Sequence, residues 1–135
     1  MRIILDCNIL VMSLQNKSSY HQVFKAFLDE RYTLLISQLI IHEYTEIISI
    51  KFGAPAAGTL LDILNESNNT EVITVYFNWN LIASDPDDNK YCDCYIAGGA
   101  DYLVTQDKHF KALANIQFPT IKVISIDEFL VILDQ

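Results

Sequence analysis

No run of this sequence approaches the roughly 20 apolar residues of a membrane-crossing helix. The first apolar stretch, Met1-Arg2-Ile3-Ile4-Leu5, is cut short by Asp6 and does not make the core of a signal peptide. A soluble, cytoplasmic protein is expected. Cysteine is scarce: Cys7, Cys92 and Cys94 are odd in number and lack the paired spacing of a zinc site, and Cys92 and Cys94 fall on different faces of a helix. They read as reduced, mostly buried thiols. His21, His42 and His109 are scattered without ligand spacing, so His42 reads as a solvated helix residue, and a serine or cysteine triad has little support. Positive charge is also short. Nine Lys and Arg face 17 Asp and Glu, a net charge of −8, which excludes generic binding to a polyanion through released counterions.

What is present is 135 residues, 51% of them hydrophobic, enough for one globular domain spanning residues 1–135. Its most informative stretch begins at Asp85-Pro86-Asp87-Asp88-Asn89-Lys90. Asp85 followed by Pro86 reads as a helix N-cap and first helical residue, with Asp87 and Asp88 at the positive end of the helix dipole. Asp88 differs from the other two because Tyr91, Cys92 and Tyr95 follow on its own face; it heads an apolar stripe, where an unpaired carboxylate is costly. After the Gly98-Gly99 break, a short apolar strand around Leu103 delivers Asp107 at its exit. Lys90, Lys108 and Lys111, three of the nine bases, lie in or beside this stretch and are candidates to guide a nucleic acid.

Taken in order, Arg2 to Leu5 reads as a strand that delivers Asp6, which is a ligand, a turn or a cap. Ser19-Tyr20-His21-Gln22 has the form of a capping box opening a helix to about Glu30. Tyr32 to Ile36 reads as a strand, and Ser37 as the cap of a helix that Gly53 stops. On that helix Leu39, Ile40, Ile47 and Ile50 form an apolar face with Glu43 at its centre, whereas Glu46 falls on the solvated edge. A carboxylate in such a stripe is neutral, paired with a cation or bound to metal. A short helix over Thr59–Asn65, a strand over Glu71–Tyr76, a packing role for Trp79, a helical turn over Phe110–Ala114, a strand over Ile121–Ile124 and a capped helix beginning at Ser125 complete the reading. The order β-α-β-α-α-β-α-β-α-β-α, with strands apolar throughout, predicts an α/β fold: a mostly parallel central sheet with helices on both faces. Ligands of such sheets bind at the carboxyl ends of the strands, where Asp6, Glu43, Asp88 and Asp107 are expected to meet. Carboxylates so crowded need a cation, and oxygen-only donors suit Mg²⁺ or Mn²⁺ and metal-assisted hydrolysis of a phosphodiester.

The segments Ile4-Leu5-Asp6-Cys7-Asn8-Ile9-Leu10, Asp85 to Asn89 and Gly99-Ala100-Asp101-Tyr102-Leu103-Val104-Thr105-Gln106-Asp107-Lys108-His109-Phe110 together resemble the PIN-domain nucleases, above all the VapC-type toxins of bacterial toxin–antitoxin pairs. The resemblance spans nearly the whole chain. It implies a Mg²⁺- or Mn²⁺-dependent endoribonuclease, often a homodimer and often held inactive by an antitoxin protein. It places the family's acids on Asp6, Glu43, Asp88 and Asp107 and its small polar residue on Asn8, with Asp93 as an additional or outer-shell acid; Cys7 stands where relatives usually carry Thr. Two other readings compete: a receiver-like signalling domain with an acidic Mg²⁺ pocket, and a catalytically silent PIN fold that binds RNA or a partner.

Overall fold

Strands buried on both faces must be apolar throughout, and Arg2–Leu5, with Ile3, Ile4 and Leu5 at most 2% exposed, forms the central strand β1. The computed structural model describes residues 1–83 and 85–135. In it β1 is followed by α1 (Cys7–Ser13), α2 (His21–Leu28), β2 (Thr33–Ile36), α3 (Gln38–Phe52), α4 (Ala54–Glu66) and β3 (Thr70–Val72). A 3₁₀ turn (Pro86–Asp88) leads into α5 (Asn89–Gly98); then come β4 (Tyr102–Val104), a 3₁₀ segment (Lys108–Asn115), β5 (Val123–Ile124) and α6 (Ile126–Leu133). Among the described residues, no helix is long and apolar enough to cross a membrane.

The five strands are ordered β3-β2-β1-β4-β5 and every pairing is parallel, in registers such as Ile3 with Leu34 and Ile4 with Leu103. The chain builds outward from β1 in one direction, then crosses back to lay β4 on its other side. The direction reverses between β1 and β4, and the crevice beyond their carboxyl ends is where open parallel sheets bind ligands. A receiver domain takes the order 2-1-3-4-5 instead, so the topology sets that reading aside.

The expected alternation holds, with departures that have local causes. Helix α1 was not foreseen, because a short apolar run after a strand does not declare its period; it buries Ile9, Leu10 and Val11. The Ser19 capping box does not form: α2 starts after Tyr20 with no side-chain cap, and Ser18 Oγ accepts the Tyr20 N–H at 3.1 Å. Helix α4 starts at Ala54, earlier than expected, with Pro55 in its first turn, where a missing N–H costs nothing. Strand β3 stops at Val72 and β5 spans only Val123–Ile124. The capping box of α6 is present, with Ser125 Oγ accepting from Glu128 N at 3.1 Å and Glu128 Oε1 from Ser125 N at 3.0 Å.

The apolar face of α3 needs correction. Leu39 and Ile50 are 65% and 74% exposed, and the buried positions are Ile40, Tyr44 and Ile48. A count of aliphatic residues passes over Tyr44, yet its ring is fully buried because its hydroxyl donates to the Leu5 carbonyl. The helix therefore turns toward Tyr44, and Glu43 lies at the margin of the buried face, half-buried.

The end of α5 is closed by two glycines with different jobs. Gly99 has φ +63° and supplies the left-handed C-cap. Gly98 is packed against the sheet: a Cβ there meets Leu35 Cδ1 at 2.9 Å and Ile73 Cγ1 at 3.0 Å, and its carbonyl accepts from Arg2 Nη2 at 2.7 Å. Gly98→Ala should overpack this junction and lower unfolding free energy by about 1–3 kcal/mol. A urea melt of the variant superimposable on that of the wild type would contradict the packing.

Candidate metal centre

Asp6 leaves β1 at the switch point, 5% exposed, and its Oδ2 accepts from Thr105 Oγ1 at 2.7 Å. Thr105 Oγ1 in turn accepts the Asp107 N–H at 3.0 Å, so one threonine ties the exits of β1 and β4 together. Burial pushes the Asp6 carboxyl above its ordinary range, Thr105 opposes this, and the charges of Glu43 and Asp107 raise it further.

Asp107 caps the 3₁₀ segment that follows β4: its Oδ1 accepts the His109 N–H at 2.9 Å, which folds the imidazole back over the site. His109 Nδ1 then lies 2.8 Å from Asp107 Oδ1 and 3.8 Å from both Asp85 Oδ2 and Asp88 Oδ2. One donor atom from each of Asp85, Asp88, Asp107 and His109 falls within 4.8 Å of all the others. Two of these atoms, Asp88 Oδ2 and His109 Nδ1, are out of contact with solvent and have no hydrogen-bond partner. Orphaned buried polar atoms are uncommon, and a pair of them in a ring of carboxylates fits a divalent cation. Asp88 feels the crowding most: burial, then the charges of Asp107, Asp85 and Asp6, push its carboxyl up to about 7.

Of the acids expected to converge, Asp88 and Asp107 are thus in one donor cluster, and Asp6 adjoins it. Glu43 lies beyond Asp6 with both oxygens engaged, Oε2 by Lys90 Nζ at 3.2 Å and Oε1 by the Tyr91 hydroxyl. Tyr91, fully buried, also accepts the Cys7 N–H at 3.2 Å and so anchors Glu43 to the residue beside Asp6. Lys90 is turned inward: its side chain is 13% exposed, and its ammonium also donates to the Asp87 carbonyl at 2.8 Å. Lys108 and Lys111 are exposed and line a cavity of about 700 Å³ that begins at Asp107 and runs toward Glu128. Asp93 is buried away from the cluster, accepting the Trp79 N–H at 2.9 Å, while Asn8 is exposed on α1. Trp79 is half-buried against Phe77 and Phe118. Glu46 and His42 are solvated, as expected, and lie 3.7 Å apart. The three cysteines are free and buried, each thiol pushed up to about 12 by burial.

Two members of the cluster escaped the sequence reading. Asp85 is the cap that the sequence predicts, with Oδ1 accepting from Asp87 N at 3.3 Å; its other oxygen faces the cluster. His109 was set aside for want of a partner at ligand spacing. The available signal was Asp107-Lys108-His109 itself, since an Asp that caps a tight turn brings the residue two positions on back beside its own carboxylate.

The family model of the PIN domain matches residues 2–109. No curated protein matches this chain. Among solved structures the chain is similar to VapBC2 from Rickettsia felis bound to a DNA fragment from their promoter, at 20% identity over 93% of this chain and 98% of that one, TM-score 0.62. It is similar to Mycobacterium tuberculosis VapC20, a sarcin-ricin loop cleaving toxin, at 13% identity over 84% and 95%, TM-score 0.62. A third is PAE2754 from Pyrobaculum aerophilum, at 18% identity over 99% and 90%, TM-score 0.63. At these identities the likeness is one of fold.

The raised Asp88 carboxyl sets a pH dependence. Folded, it holds its proton up to about 7, whereas in an unfolded chain it loses it near 3.9, so between those limits the folded state binds more protons. Its contribution to stability is therefore largest at the acid end and is lost as pH rises toward 7. In chelator, Asp88→Asn should raise the melting temperature by a few degrees at pH 8 and by progressively less toward pH 5. A gain independent of pH, or a loss at pH 8, would show that Asp88 is not under charge strain.

Proposed function

This chain belongs to the PIN domain family, and on that premise we propose that it is a Mg²⁺- or Mn²⁺-dependent endoribonuclease, the toxin of a toxin–antitoxin pair. The observation that carries the proposal is the convergence of Asp85, Asp88, Asp107 and His109 on one point at the β1/β4 switch, with Asp6 alongside. Asp6, Asp88 and Asp107 are the residues to hold the ion, and Glu43 joins them from the Tyr91 side. The bound cation supplies a water of lowered pKa and positive charge at the departing oxygen of a phosphodiester.

The chain's own groups have separable tasks in that reaction. Thr105 fixes one oxygen of Asp6 and so holds this carboxylate beside Asp107. The Tyr91 hydroxyl and Lys90 hold Glu43 in one orientation, so that no rotamer search is needed when substrate arrives. Asp88 serves there as an ion-holding carboxylate beside Asp107 and His109. Lys108 and Lys111, at the mouth of the cavity beside Asp107, meet the phosphates that flank the scissile bond. Because the chain carries a net charge of −8, these two lysines steer the strand locally and do not retain nucleic acid in general. Similarity to VapC20, a sarcin-ricin loop cleaving toxin, and to VapBC2 supports an RNA substrate and an antitoxin partner.

Purified protein should cleave RNA with Mn²⁺ or Mg²⁺ and cease in EDTA. Glu43→Gln should lower single-turnover cleavage by about 100-fold or more, as befits an acid at the reacting centre, while Glu46→Gln stays close to wild type. Cleavage that persists in EDTA would overturn metal dependence. Equal losses in the two glutamine variants would remove Glu43 from the site.

A further inference from the structure

We propose, building on the metal-dependent reading above, that His109 contributes Nδ1 as a nitrogen ligand to the same ion, and that this donor makes the site select Mn²⁺ over Mg²⁺. His109 is held in place by the backbone, since its own N–H is bonded to Asp107 Oδ1 at 2.9 Å, and this fixes where the ring can lie. From there Nδ1 faces three carboxylates at 2.8, 3.8 and 3.8 Å. An octahedral ion with bonds of about 2.1 Å places neighbouring ligand atoms roughly 3.0 Å apart and opposite ones roughly 4.2 Å apart. The observed spacings fall about that range.

The orphaned atoms point the same way. Nδ1 has no accessible surface and no hydrogen-bond partner, although acceptors surround it, and Asp88 Oδ2 is in the same condition. Nδ1 lies 2.8 Å from Asp107 Oδ1 without an aligned hydrogen bond, and 3.8 Å from Asp88 Oδ2, too long for one; both spacings suit ligands of a shared ion. The ring is 38% exposed, and since Nδ1 is covered, the exposure lies on the other side, so Nδ1 is the ring nitrogen that faces the carboxylates. Asp85 gains a second task by the same geometry, one oxygen capping the turn and the other facing the ion.

The choice of ion follows from the donor type. Mg²⁺ prefers an all-oxygen shell and keeps much of its water, whereas imidazole nitrogen raises affinity for first-row transition ions relative to Mg²⁺. The site should therefore bind Mn²⁺ more tightly than Mg²⁺ even though most of its donors are carboxylates.

Electron spin-echo measurements on the wild-type protein loaded with Mn²⁺ should show coupling to a directly bound ¹⁴N, and His109→Gln should abolish it. Calorimetric titration of the same variant should show Mn²⁺ affinity reduced by about 10-fold or more and Mg²⁺ affinity reduced by less. Bound Mn²⁺ without nitrogen coupling in the wild type overturns the proposal while leaving the nuclease reading intact; failure to bind Mn²⁺ at all overturns both. A variant that loses stability in chelator but keeps its Mn²⁺ affinity also overturns it, since His109 would then act only as a counter-charge. The wild-type spectrum decides the matter even if the variant does not fold.

Discussion

Carboxylates crowded where water is scarce repel one another, and this repulsion is the constraint around which the carboxyl edge of the sheet is arranged. At the β1/β4 switch point the charges of Asp107, Asp85 and Asp6 add to burial in raising the proton affinity of Asp88, and those of Glu43 and Asp107 do the same for Asp6; a fold that merely tolerated such crowding would splay. Three of these four aspartates are instead tied down by a hydrogen bond to one carboxylate oxygen. Asp85 and Asp107 cap 3₁₀ turns through Oδ1, and Asp6 is fixed through Thr105. Capping interactions of this kind are worth about 1 kcal/mol each, and here they also restrict how the carboxylates can rotate.

The scaffold accounts for why these ties are rigid. β1 is the middle strand of five and pairs on both sides, so Asp6 leaves the sheet where it moves least. Tyr44 and Tyr91 extend that rigidity outward. Tyr44 reaches from α3 to the Leu5 carbonyl, and Tyr91 reaches from α5 to the Cys7 N–H and to Glu43. Both rings are fully buried, so their hydroxyls are positioned by packing and their bonds are made at little entropic cost. Two helices are thereby pinned to the first turn after β1, and the acids on those helices inherit its placement.

The parallel α/β architecture was legible because its signals are local and repeated: apolar runs of strand length, each followed by a capped helix, predict the topology without any distances. Asp88 and Asp107 were legible for a related reason, since each ends or begins an element at the functional edge. What escaped depends on contacts that a one-dimensional pattern does not carry. The face of α3 was set by a tyrosine that hydropathy counts as partly polar, which moved Glu43 from the centre of the buried face to its margin. Lys90, a candidate from sequence to guide a nucleic acid, is drawn inward by Glu43, 47 residues away in sequence. His109 has no partner at helical spacing; its neighbours arrive across the switch point, from the turn that opens α5.

Lys90 makes the charge demand of the site uneven. Glu43 already has a counter-ion in the chain, an ammonium at 3.2 Å with little access to solvent, so its carboxylate is stabilised whether or not metal is bound. No lysine or arginine makes an ion pair with Asp85, Asp88 or Asp107 among the described residues; their one ring of possible positive charge is His109, whose buried nitrogen makes no aligned bond to any of them. The acids therefore divide into one that is paired with a lysine and a group that has no such counter-ion among the described residues. An ion arriving at this edge is drawn to that group, because there its charge relieves repulsion as well as making bonds. Glu43, held by Tyr91 and Lys90, stands where the charge of the ion and the charge of a bound phosphate would meet.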